Sequence, residues 1–280
     1  MTIYTALAEG EFSLKESITL SCRLAKKLDT KLIGVSAMPD PARAVIMTGV
    51  SMHGVMFASG GSLLEGIREA QKEAREKLEA AFTEVCEAEG VTNREIEHTV
   101  GLPTEVYPRL SLLSDGLVTP HECVSAGNEH GLAFETTLLD RREPIIVAGQ
   151  DSSPNISTMI VAWDGSPQAA RSVRFHTQLL RAADRVIVAQ NSNKIDTEDR
   201  FGGDQPAYAV DYLQQRGIPS EIIQFDGAVT EGLLKLAEDE GAGLIVAGAY
   251  GHSRLEEMIF GGVSKNLLRT EKGPALALAH

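Results

Sequence analysis

The chain has 280 residues, 43% of them hydrophobic and 23% charged, with a formal net charge of −13; that length is generous for one α/β unit and suits two of about 100–150 residues, each with its own core. No apolar run approaches the roughly 20 residues that cross a bilayer, so a membrane-spanning protein is not expected. Neither half is basic, with 14 basic against 22 acidic residues up to position 150 and 12 against 17 beyond it, which leaves sequence-independent nucleic-acid binding without a surface to use.

Thr2–Ala8 reads as a first strand. Ser13–Leu28 reads as an amphipathic helix carrying Leu14, Ile18, Cys22 and Ala25 on one face, with Ser13 and Glu16 spaced as a capping box. Lys31–Ala37 is a second strand. The Met-, Gly- and Ala-rich stretch Met38–Gly61 is expected as a long loop, free to act as a lid or partner surface. Ser62–Glu89 is the longest predicted helix and Gly90 its stop. Strand Arg94–Val100, helix Pro103–Leu113, strand Gly116–Thr119, helix Leu132–Asp140 and the apolar strand Pro144–Ala148 complete an alternation that predicts a parallel sheet with helices on both faces.

After a polar, turn-rich linker at Gly149–Asn155 the pattern starts again. Strand Thr158–Trp163 ends at Asp164-Gly165-Ser166-Pro167, where Ser followed by Pro is a helix start, and a single helix to Ala183 is expected. Strand Arg185–Gln190, helix Asp204–Arg216 stopped by Gly217, strand Ser220–Phe225, helix Thr230–Glu240, strand Leu244–Ala247, helix Val263–Thr270 and strand Ala275–Ala279 follow. The two closing strands lie about 130 residues apart, each behind a proline, Pro144 and Pro274. The expected division is residues 1–150 and 156–280.

Cys22, Cys86 and Cys123 are odd in number and far apart in sequence without a C-x-x-C pair, so neither a disulfide framework nor a zinc site is expected. No pair of histidines has metal-ligand spacing. Met1–Leu7 enters a strand pattern without a basic region or small-residue cleavage site ahead of it, which points to a cytoplasmic protein. The phosphate-loop, dinucleotide, nucleophile-elbow and zinc-protease motifs are all missing, and no nucleophile–base pair stands out.

The most informative stretch runs from the strand Leu244–Ala247 through Gly248, Gly251 and Gly261 to Gly262, Val263 and Ser264. Strand, glycine turn, loop and glycine-opened helix together turn backbone N–H groups toward one place, a geometry suited to an anion. Arg254, Lys265 and Arg269 add local positive charge inside a globally acidic chain, although Lys265 and Arg269, four apart, also read as one solvated helix face.

The spacing Gly248-x2-Gly251-x9-Gly261 resembles the nucleotide-binding signature of the universal stress protein family. The internal repeat resembles a tandem member of it. The resemblance implies two Rossmann-like domains of the adenine nucleotide α-hydrolase-like group, each a mainly parallel five-stranded sheet flanked by helices, packed as an intramolecular pseudo-dimer, with a homodimer as a further level of association. It implies a stress-response role and ATP, with or without Mg²⁺, as the ligand. On that resemblance Asp164 and Gly165 lie at the base or ribose, Asn191 at the adenine, and the amides around Gly251, Gly261 and Gly262 at the phosphates. His252 and Arg254 lie between the glycines, Arg254 reaching the outer phosphates, and Val263 and Ser264 form the first helical turn.

Several residues depart from the family pattern. Gly262 stands where the family carries Ser or Thr, so Ser264 is expected to replace the lost hydroxyl in part, and Asn191 is polar where an apolar contact is usual. For Asp164 an Asp-Gly turn that caps the next helix is an equal reading, and Trp163 reads as core. The first half has Ala8-Glu9-Gly10-Glu11 and Thr119-Pro120-His121-Glu122 in place of the two motifs, so it is expected to be a structural or partner-binding copy. The rival reading is a scaffold that needs no ligand and whose glycine loop is only a tight turn.

Overall fold

The computed structural model describes residues 2–8, 13–47, 56–124, 127, 129–150, 155–192, 205–249, 262–270 and 273–280. The first half runs β1 (Thr2–Ala6), α1 (Leu14–Lys27), β2 (Lys31–Met38), α2 (Pro41–Met47), α3 (Met56–Ala88), β3 (Arg94–Val100), α4 (Pro103–Ser111), β4 (Gly116–Thr119), α5 (Glu129–Glu135) and β5 (Ile145–Val147). The second runs β6 (Thr158–Ala162), α6 (Pro167–Phe175), α7 (Thr177–Leu180), β7 (Arg185–Asn191), α8 (Pro206–Gln214), β8 (Ser220–Phe225), α9 (Val229–Asp239), β9 (Leu244–Gly248), α10 (Gly262–Leu268) and β10 (Ala275–Ala279).

Each half supplies five parallel strands, and the ten form one sheet in the order β3-β2-β1-β4-β5-β10-β9-β6-β7-β8. The join is the antiparallel pair β5·β10, with Leu276 opposite Val147, Ala277 opposite Ile146 and Leu278 opposite Ile145. The sequences explain this order. β5 and β10 are apolar throughout and wholly buried, as central strands covered on both faces must be. β3 and β8 alternate exposed with partly buried residues and take the two outer edges, where Glu95 pairs with Lys31 and Glu221 with Arg185; charge at an edge discourages further strand pairing.

Helices cover both faces, and each core runs through both halves. On one face Leu20, Leu24, Leu78 and Phe82 belong to the same apolar cluster as Val173, Leu180 and Leu213. On the other, Tyr107, Phe134 and Leu138 share a cluster with Leu233, Leu236 and Leu267. Gly149 is a glycine because a Cβ there would lie 2.5 Å from the Gly273 carbonyl oxygen, at the crossing of the two closing segments. Lys27 also bridges the halves, its Nζ 2.9 Å from Asp184 Oδ1 on the exposed surface. No helix among the described residues is long and apolar enough to cross a membrane.

The structure corrects the predicted extent of two elements. Of the loop expected at Met38–Gly61, Met38 ends β2, Pro41–Met47 is helical and α3 begins at Met56; positions 48–55 lie outside the described residues. Asp40 is the overlooked start signal: its Oδ1 accepts the Ala42 amide at 2.9 Å, its carbonyl accepts Ala44 N, and Pro41 follows at the first helical position. The expected single helix from Ser166 to Ala183 breaks at His176. There His176 Nδ1 donates to Ser172 O at 2.9 Å, and Thr177 Oγ1 donates to Val173 O and Arg174 O, so side chains compete for the carbonyls that would continue the ladder.

His176 is 2% exposed, and its Nε2 has no hydrogen-bond partner. Burial, opposed only in part by the Ser172 carbonyl, pushes its pKa from 6.5 down to about 4. The folded value lies below the unfolded one, so its contribution to stability is complete above about pH 6.5 and is lost as pH falls toward 4, on the order of 1–2 kcal/mol at pH 5. The urea midpoint should therefore fall more between pH 7.5 and 5.0 in the wild type than in His176→Asn. Equal falls would contradict this.

Candidate functional site

In each half the second and third strands in chain order lie to one side of the first strand and the fourth and fifth to the other, so the order reverses between β1 and β4 and again between β6 and β9. Ligands of open parallel sheets bind beyond the carboxyl ends of the strands at such a reversal. In the second half this brings Asp164 and Gly165, just past β6, beside Gly248, the last residue of β9, since β6 and β9 are paired neighbours.

Asp164 is exposed, and its Oδ1 accepts the Ser166 amide at 3.0 Å. Gly165 adopts φ +75, which the turn requires, and Ser166 Oγ caps α6 by accepting the Ala169 amide at 3.1 Å. Pro167 has no N–H. The Gln168 amide is left as the first-turn donor without a partner among the described residues.

Gly248 has a role the sequence did not disclose. Its φ is not positive. A Cβ there would sit 2.7 Å from the Gln168 carbonyl carbon and 2.8 Å from the Ala169 nitrogen, so the missing side chain admits the first turn of α6 against the end of β9. Helix contact is thus one reason for a glycine here. Asn191, the last residue of β7, is 5% exposed, and its Nδ2 donates to the Gly227 carbonyl at 2.9 Å, tying β7 to the turn before α9. Its side chain does not offer the free surface that an adenine contact at this position requires.

Gly262, Val263 and Ser264 form the first turn of α10, and Val263 packs on the core cluster that holds Leu267 and Leu268. Gly251, His252, Arg254 and Gly261 lie outside the described residues. Trp163 is buried, as expected of a core residue.

The first half treats the corresponding place differently. Ser13 makes no side-chain cap to α1, contrary to the expected capping box. Instead its hydroxyl hydrogen-bonds Glu122, and its amide donates to Glu122 Oε2 at 3.1 Å. Burial opposes ionisation of Glu122, but the Ser13 hydroxyl and the amides of Glu122 and Ser13 outweigh it and hold the carboxyl below its usual range. Glu122 stands three residues past β4, the offset at which Gly251 stands past β9. An internal carboxylate therefore occupies the start of α1, and that shared offset was the available signal in the sequence.

The fold is thus that of a repeated, parallel α/β protein in which a carboxylate from beyond β4 binds the residue before α1, whereas the start of α6 is held by its own turn and cap. Residues 155–278 match the family model described as Universal stress protein family. Universal stress protein MJ0577 of Methanocaldococcus jannaschii is 32% identical over 66 residues, which are 24% of this chain and 41% of that protein, so the match spans less than half of that relative's length. A universal stress protein from Archaeoglobus fulgidus DSM 4304 shares the fold, with a TM-score of 0.65 at 15% identity over 99% of this chain and 97% of its own. A universal stress protein solved in complex with cAMP is 26% identical over 44% of this chain and 97% of its own, with a TM-score of 0.36. Residues 155–278 are thus similar to the universal stress protein family, and the fold of the whole chain is that of its structural neighbour from Archaeoglobus fulgidus DSM 4304.

The close approach at Gly248 yields a direct test. Gly248→Ala forces backbone apart at the β9–α6 contact and should cost about 1–3 kcal/mol in urea unfolding. An unchanged midpoint would show that the contact is loose.

Proposed function

We propose that the second half binds ATP or a related adenine nucleotide and that the first half is a structural or partner-binding copy, the two dividing near residues 151–155. The observation that carries this reading is the meeting of the Asp164–Ser166 turn, the Gln168 amide and the Gly248 end of β9 at one strand-order reversal, joined to the spacing Gly248-x2-Gly251-x9-Gly261. Phosphates, with Mg²⁺ carried on them, would lie against the Gln168 amide and the loop leading to Gly262, with Arg254 at the outer ones and Ser264 nearby. Asp164 would face the ribose with the carboxylate oxygen that the turn leaves free. A bound nucleotide would supply charge and shape to this crevice; no turnover is assigned to it.

The fit is better on the phosphate side than on the base side, because Asn191 is buried and committed to Gly227. Any base contact must come from another residue. Asn191, together with Gly262 in place of a hydroxyl residue, favours the second reading, a stress-response scaffold that needs no ligand. In either case the role assigned is that of a cytoplasmic protein of the stress response. The closing strands that family resemblance implicates in dimers are already paired within the chain, so association of whole chains would use another surface.

Isothermal titration with ATP and Mg²⁺ separates the readings. Binding at micromolar to millimolar ligand that Gly261→Val abolishes supports the nucleotide site. Absence of both heat and thermal shift at millimolar ATP removes it and leaves the scaffold.

A further inference from the structure

Cys22 and Cys86 are 64 positions apart in sequence, yet folding of α1 against α3 brings their sulfurs to 3.6 Å. Both are free thiols, and both are fully buried. We propose that they form an oxidisable dithiol that closes to a disulfide when the protein meets peroxide, stapling α1 to the end of α3. A disulfide needs the sulfurs at about 2.05 Å, so they must close by roughly 1.5 Å, a movement that side-chain rotation and a small shift between two helices can provide.

The surroundings give the two thiols different parts. Cys86 lies two residues before the end of α3, where a helix frays most readily, while Cys22 is held in the interior of α1. Ionisation of the Cys22 thiol is disfavoured by Cys86 and by burial, which suits it to donate to its neighbour, though either sulfur can donate in this contact. Cys86, receiving that hydrogen bond and lying near the Arg94 guanidinium, is the thiol whose ionisation is favoured despite burial. Glu89 closes the end of α3 over the pair, accepting Lys26 Nζ at its carbonyl at 2.8 Å and meeting Arg23 Nη2 at 3.4 Å. These are exposed or half-exposed contacts that opening of the last turn would break.

The chemistry balances with a peroxide as the sole oxidant. The Cys86 thiolate attacks the peroxide, the O–O bond breaks, the alcohol or water leaves with a proton, and Cys86 becomes a sulfenic acid. The Cys22 sulfur then attacks the Cys86 sulfur, the S–O bond breaks, and the Cys22 proton leaves with the hydroxide as water. Cys123 has no part in this. It is buried near the Tyr107 hydroxyl, and burial pushes its thiol up to about 12.

The test treats the full chain with hydrogen peroxide, blocks remaining thiols under denaturing conditions and maps the peptides. The expected product has lost two of its three thiols and about 2 Da, joins the Cys22 and Cys86 peptides, and reverts with dithiothreitol. Its thermal midpoint should rise by about 5 °C or more, because the new link constrains the unfolded chain. Cys86→Ser should keep both remaining thiols under the same dose. Three intact thiols in the oxidised wild type, a link that includes Cys123, or sulfinic acid without a disulfide would each overturn the proposal, and none of these readouts depends on a variant folding.

Discussion

The antiparallel pairing of β5 with β10 is the constraint from which the rest of the architecture follows. Each half is a five-stranded parallel sheet whose closing strand is apolar on both faces, and an unpaired strand of that kind at an open edge invites association. Pairing the two closing strands removes both edges at once and moves the outer boundary to β3 and β8, which are charged and half exposed. It also makes the core on each face continuous from one half to the other. Since strands within a half are parallel and the join is antiparallel, the carboxyl ends of the two sets point to opposite ends of the sheet. The two crevices cannot merge into one site, and each half must settle its own.

They settle it in opposite ways. At the start of α1, the Glu122 carboxylate from beyond β4 takes the Ser13 hydroxyl and amide. At the start of α6, Asp164 makes the turn and Ser166 the cap, both within one segment. That difference rests on one acidic residue in one copy and a glycine at the same offset in the other.

The alternation of strand and helix, the apolar closing strands and the helix stops at Gly90 and Gly217, both at positive φ, were legible because they depend on local pattern and on conformations that glycine adopts freely. The sequence could not reveal partners brought together by the fold. Asp164 reads as either a turn residue or a ligand residue, and its contact to the Ser166 amide gives it the first role while its exposure leaves room for the second. The spacing of Gly248 marks it as a ligand-loop glycine, and its contact with the first turn of α6 is a second demand that only the fold discloses. Cys22 and Cys86 were set aside as distant because a 64-residue separation says nothing about two helices that pack together. Asn191 had been noted as polar, but only the Gly227 carbonyl explains why a polar residue is buried there.

The account rests on an asymmetry between the two crevices, and amide hydrogen exchange with and without saturating ATP and Mg²⁺ reads it most directly. Slowed exchange at residues 164–169 and 248–249, with Ser13 and residues 119–124 unchanged, is the result the account predicts. Protection of the first-half segment, or equal protection of both, would contradict it.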